Sequence, residues 1–133
     1  MQTKYSIRKP NLFYPELSFQ INGVLMDVAK TLGGGHKEVY YEKAIIIGLG
    51  KRKILVQQQV YVPLKYGEEV VGKYFIDLIV DGKIAIEIKR GQFVSALVIN
   101  QTKQYLSALN LKLGIIACFA HSGVVIKRVV NEY

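Results

Sequence analysis

Asp77, Glu87 and Lys89 stand where a strand would carry valine, isoleucine or leucine. Residues 74–89 read YFIDLIV, then DGK, then IAIEIK, a D-x9-E-x-K spacing. Burying an ion costs several kcal/mol unless it is paired or holds a metal. Charges kept among so many apolar neighbours therefore point to use. Two carboxylates and a cation on one face are what divalent-metal phosphodiester chemistry requires.

Register decides whether they share that face. In a strand, residues i and i+2 point the same way, so Glu87 and Lys89 are neighbours on one side. Asp81-Gly82 signals a hairpin between the two segments. A two-residue loop would pair Ile76 with Glu87 and turn Asp77 to the opposite face. A three-residue loop over Val80-Asp81-Gly82, with Gly82 left-handed, pairs Asp77 with the small Ala85. Glu87 then becomes the diagonal neighbour of Asp77, roughly 7–8 Å away along the backbone. The three-residue loop is the expectation, since it leaves room for an ion beside Ala85.

The elements that must position these residues follow from periodicity. Leu17, Ile21, Val24, Leu25, Val28 and Leu32 recur at helical spacing and predict a helix over Glu16–Leu32. Gly33-Gly34-Gly35 ends it; the run lacks the Lys-Ser/Thr of a P-loop, so a turn is expected rather than a phosphate cradle. A second helix is expected over Lys37–Leu49, carrying Val39, Tyr40, Ala44, Ile45 and Ile47. The period then changes to two, and QQQVYVPLKY, VVGKYFIDLIV and KIAIEIK predict three meandering strands. Pro63 marks the first as an edge or bulged strand. A third helix is predicted over Phe93–Leu109, with Val94, Leu97, Val98, Gln101, Tyr105 and Ala108 along one side. LKLGIIACFA and VVIKRVV complete the order α-α-β-β-β-α-β-β, a mixed α+β plan with helices flanking a central sheet. A crossover through the third helix would give that sheet one parallel pair. Residues 1–15 are expected to form an arm, and 16–133 a single domain.

Composition narrows the class. The chain has 133 residues, half of them hydrophobic, which argues for one domain with a true core and against disorder. No apolar run reaches the roughly 18 residues of a membrane span, and no secretory signal opens the chain. The single cysteine, Cys118, permits no internal disulfide and suits a reducing cytoplasm; in its apolar setting it reads as a small buried hydrophobe. Eighteen basic against ten acidic residues leave +8, which favours a polyanionic partner. Lys51-Arg52-Lys53 reads first as the cationic end of the second helix.

The ordered motifs resemble the PD-(D/E)XK nuclease superfamily. Gly35, Glu38 and Tyr41 match the signature of its GxxExxY group, and Gln101-Thr102-Lys103-Gln104-Tyr105-Leu106 matches the Q-x3-Y-L element that follows the E-x-K strand. Ile76 precedes Asp77 where the superfamily name has proline, and Val98 stands where the group often carries histidine. The resemblance implies a restriction-endonuclease-like core that hydrolyses phosphodiesters, with DNA as the expected substrate. It implies Mg²⁺ or Mn²⁺ on Asp77, Glu87 and the backbone carbonyl of Ile88, oxygen ligands that suit hard cations. Lys89 would orient water or neutralise phosphoryl charge, while Glu38 and Gln101 join the catalytic set. Tyr105, Lys103, Arg90 and Tyr41 would contact nucleic acid or support the site. A homodimer is a further expectation, since members are often dimeric.

Plainer readings stand beside these. Glu38 also suits the positive end of a helix, Tyr41 and Tyr105 also suit a core, and Gln101 also suits a surface. The rival to an enzyme is a binding or protein-interaction module that keeps the fold without turnover.

Overall fold

A computed structural model describes residues 13–131, so nearly all of the expected arm over 1–15 lies outside the described residues. Helix α1 (Pro15–Leu32) begins with proline at its first turn, where a missing N–H costs nothing, and ends at Gly33 with φ 74°. Its buried stripe is Ile21, Val24, Leu25 and Val28, as the periodicity predicts. Helix α2 (Glu38–Lys51) follows the glycine turn. Its buried face is Tyr41, Glu42, Ile45 and Leu49, whereas Val39, Tyr40 and Ile47 of its apolar residues are exposed. The helix is apolar nearly all round, so sequence spacing alone does not phase it. Its basic end is as expected: Lys51 closes the last turn and Arg52 donates from Nη1 to the Gln20 carbonyl at 3.1 Å.

The sheet comprises β1 (Val56–Tyr66), β2 (Glu69–Val80), β3 (Ile84–Arg90), β4 (Leu113–Ala120) and β5 (Gly123–Val130), in spatial order β1-β2-β3-β4-β5. Only β3 and β4 run parallel, joined by helix α3 (Ala96–Leu109). The element order is therefore α-α-β-β-β-α-β-β, the expected mixed α+β architecture. β1 is an edge strand, as Pro63 requires, and its register shifts between Leu64 and Lys65. Every residue of β4 is buried, because helices cover both faces of the parallel centre. Ile84, Ile86 and Ile88 pack against α1 and α2, while Ala85, Ile116 and Val129 pack against α3.

Helix α3 starts later than its apolar pattern suggests. The Ser95 hydroxyl accepts from the Val98 amide at 3.2 Å and caps the helix, leaving Phe93 and Val94 outside it. Thr102, Tyr105 and Leu106 are its buried residues. Leu97 and Ala108 of the expected face are exposed.

The β2–β3 loop also departs from expectation by one step. It has three residues, but they are Asp81-Gly82-Lys83, because Val80 pairs with Ile84 and Ile79 with Ala85. Asp81 and Gly82 are both left-handed (φ 53° and 65°), and Lys83 N donates to Val80 O at 2.9 Å. An Asp-Gly pair takes two consecutive positive φ values at low cost, and that choice moves the loop centre one residue onward. Continuing this register sets Asp77 level with Glu87 rather than opposite Ala85. The ladder itself stops at Leu78–Ile86.

Beyond that point the sheet forks. β2 continues with β1, whereas β3 continues with β4. The β1–β2 ribbon also rolls over here: Val56 and Leu78 pack with α1 and α2, but Val60, Val62 and Ile76 pack with α3. A regular strand would keep Leu78 and Ile76 on one face. The roll is taken up at Gln59, where φ is 49° and the ladder skips between Gln58–Leu78 and Val60–Ile76. A left-handed non-glycine costs about 1–3 kcal/mol and persists only where its surroundings hold it.

Candidate active site

The fork leaves backbone N–H groups without ladder partners, and the two carboxylates occupy them. Asp77 Oδ2 accepts from the Ile88 amide at 2.8 Å, and Glu87 Oε2 accepts from the Asp77 amide at 3.4 Å. Each strand's acid thus caps the other strand, which fixes both side chains at one opening. The N–H of Ile88 faces this opening. In a strand the carbonyl of the same residue faces the same edge.

Glu87 is only 6% exposed. Burial, and then the charge of Asp77, push its carboxyl up from 4.5 to about 8, with Lys89 opposing. Burial likewise raises Asp77, against the Ile88 amide and Gln59, which favour its ionised form. Ionising Glu87 therefore costs on the order of 5 kcal/mol. That cost is already net of the Lys89 charge, which lowers it. Lys89 shares Glu87's side of β3, and its charge reaches both acids, yet it makes no ion pair with any described residue. The pair is thus short of positive charge.

The sign of the resulting pH dependence is fixed. A carboxyl raised on folding binds more protons folded than unfolded between pH 4.5 and about 8, so stability falls as pH rises through that window. Chemical denaturation of the metal-free protein from pH 5 to 8.5 should show this decline. A stability rising across that range would contradict the buried pair.

Two further residues belong to the cluster that periodicity did not reveal. Glu42, one turn after Glu38 on α2, is 8% exposed and accepts from Gln58 Nε2 at 3.3 Å. Gln59 Nε2 donates to both Glu42 oxygens and to Asp77 Oδ1, each at 3.3 Å. The available signals were a run of three glutamines entering a strand and an acid among the apolar residues of α2.

The remaining sequence candidates divide. Glu38 opens α2, and its charge acts on Glu87. Tyr105 is buried with its ring 5.5 Å from that of Tyr74; burial and the Glu87 charge push its hydroxyl up to about 12. Gln101 is half-buried and bonds to no described residue, and Lys103 on the same helix is exposed. Arg90 donates from Nη1 to His36 O at 3.0 Å. Tyr41 lies in the core: it stacks on Phe119 with centroids 4.1 Å apart, and its hydroxyl donates to Gly33 O at 2.6 Å. With Gly35 at φ 88° and the His36 amide bonding the same hydroxyl, two of the three G-x2-E-x2-Y residues hold the glycine turn. Cys118 is buried and donates to Gly91 O at 3.4 Å, a structural thiol raised by burial.

The second and third strands of this mixed sheet part beside Asp77 and Glu87, with Lys89 two residues further along β3. The family model of the PD-(D/E)XK nuclease superfamily matches residues 15–129, and the chain belongs to that superfamily. The architecture is accordingly restriction-endonuclease-like. A solved structure described as "Crystal structure of SSO0001" is similar over 71% of this chain and 55% of that one, with 21% identity and a TM-score of 0.45. The chain thus spans about half the length of that protein. No curated protein matches. Among the described residues no helix is long and apolar enough to cross a membrane.

Nucleases of this superfamily generally use divalent metal ions. Among the described residues no three His, Cys, Asp or Glu side chains converge as a metal cage. Magnesium does not ask for one: it binds through one or two carboxylates, with waters and substrate phosphates completing its shell. Two charge-starved carboxylates beside a strand carbonyl fit that demand.

Proposed function

We propose that this domain is a divalent-metal-dependent nuclease of the GxxExxY group that hydrolyses phosphodiesters in DNA. The observation that carries the reading is the reciprocal seating of Asp77 and Glu87 at the fork, with Lys89 on the Glu87 side of β3. Asp77, Glu87 and the Ile88 carbonyl would hold Mg²⁺ or Mn²⁺, which lowers the pKa of bound water and polarises a phosphate when present.

The chain's own groups do the rest. Asp77 and Glu87 are held by backbone amides, so their oxygens need little reorganisation to meet a cation. Lys89 carries its ammonium beside them, where it neutralises charge growing on a phosphoryl oxygen. Glu38, at the start of α2, adds negative charge that draws a cation toward the fork. Arg90, Lys103 and the overall +8 charge attract the polyanion, with Gln101 and Tyr105 steadying the α3 side. The buried lone thiol agrees with a reducing, cytoplasmic setting, and a homodimer accords with the habit of the superfamily.

Supercoiled, linear and single-stranded DNA incubated with Mg²⁺ or Mn²⁺ should be cut, and a chelator should stop it. Salt-sensitive DNA retention without cleavage under every metal would replace the enzyme with a binding module.

A further inference from the structure

Gln59 holds a conformation that glycine would adopt more easily, where the ladder skips between Gln58–Leu78 and Val60–Ile76, and its side chain reaches Asp77. What glycine lacks is reach. The Gln59 amide nitrogen lies 3.3 Å from Asp77 Oδ1 and 3.3 Å from each oxygen of Glu42. Only the NH₂ end of the amide can face two carboxylates, so its orientation follows from charge. Two hydrogens shared among three acceptors give long bonds, a poor way to stabilise a fold. They are a good way to aim a carboxylate.

Asp77 is gripped at both oxygens, Oδ2 by the Ile88 amide and Oδ1 by Gln59. Rotation about its terminal torsion is thereby fixed. Glu42, itself buried in α2 and also bonded by Gln58, gives Gln59 a rigid anchor on the opposite side. The chain of contacts runs from helix to edge strand to the strand that bears the acid.

We propose that Gln59, anchored by Glu42, is a positioning residue that sets the Asp77 carboxylate for divalent-ion binding. This rests on the metal-dependent reading above and deepens it. Groups that orient a metal ligand commonly change ion affinity 10–100-fold when removed. The backbone strain at Gln59 is the cost of placing that amide, and it separates the two roles the residue could have. Glycine at this position relieves strain but loses the clamp, whereas alanine keeps the strain and loses the clamp as well.

The test compares wild type with Gln59→Gly and Gln59→Ala by Mn²⁺ titration (water-proton relaxation or calorimetry) and by thermal unfolding without metal. Both variants should bind Mn²⁺ about tenfold or more weakly, and Gln59→Gly should unfold no lower than wild type. Equal weakening in two variants of different stability supports positioning. Affinity that tracks unfolding temperature, or that stays within about twofold of wild type, overturns it. Wild type that takes up no Mn²⁺ at this site sinks the nuclease reading and the inference with it. Wild-type uptake matched by both variants sinks the inference alone.

Discussion

Replacing Glu87 with glutamine should abolish cleavage while stabilising the protein at alkaline pH. The substitution keeps the shape and leaves an oxygen to accept the Asp77 amide, now bonded at 3.4 Å. What it removes is an ionisable carboxyl beside Asp77, at a residue only 6% exposed. The loss of a charge-bearing ligand should lower the cleavage rate on the order of 10²–10³-fold, about 3–4 kcal/mol of transition-state stabilisation. Stability moves the other way. Wild type loses stability from pH 4.5 to about 8 as Glu87 deprotonates into an apolar, negatively charged setting. The variant should show a flatter profile and unfold at higher temperature at pH 8.5. Rate assays beside pH-dependent unfolding read both arms. A variant that cuts at the wild-type rate, or that keeps the wild-type slope, would show that Glu87 is not the buried functional acid.

Lys89→Met should separate chemistry from ion binding. Methionine retains an unbranched apolar stem of similar length and deletes only the charge. Lys89 lies two residues from Glu87 on the same side of β3 and acts on both acids without an ion pair to either. In the proposed mechanism its ammonium meets a substrate phosphate. Cleavage should fall on the order of 10²–10³-fold, yet Mn²⁺ affinity should stay equal or rise, because a nearby positive charge is gone. Mn²⁺ titration with single-turnover cleavage measures the two together. Weakened Mn²⁺ binding with an unchanged single-turnover rate would place Lys89 in support of the acids rather than at the phosphate.

Much of this arrangement was legible in the residues. The side shared by Glu87 and Lys89 follows from alternation alone, and Pro63 located the sheet edge. The loop between β2 and β3 was legible in length but not in centre. Asp-Gly takes two left-handed positions in succession, and a shift of one residue brings Asp77 level with Glu87. The phase of α2 was hidden for a different reason. Val39, Tyr40 and Ile47 are as apolar as the residues that are buried, so Tyr41 and Glu42 emerge as inward-facing only once the helix meets the sheet. Gln59 was hidden most completely. Its role arises from a strand that rolls over, a tertiary event with no local propensity behind it.

The most direct measurement is anomalous diffraction from crystals of the protein equilibrated with Mn²⁺. One peak should lie at the parting of β2 and β3, within about 2.0–2.3 Å of Asp77 and Glu87 oxygens and close to the Ile88 carbonyl. Manganese bound only elsewhere, with these two side chains still bonded to backbone amides and far from any ion, would contradict the account.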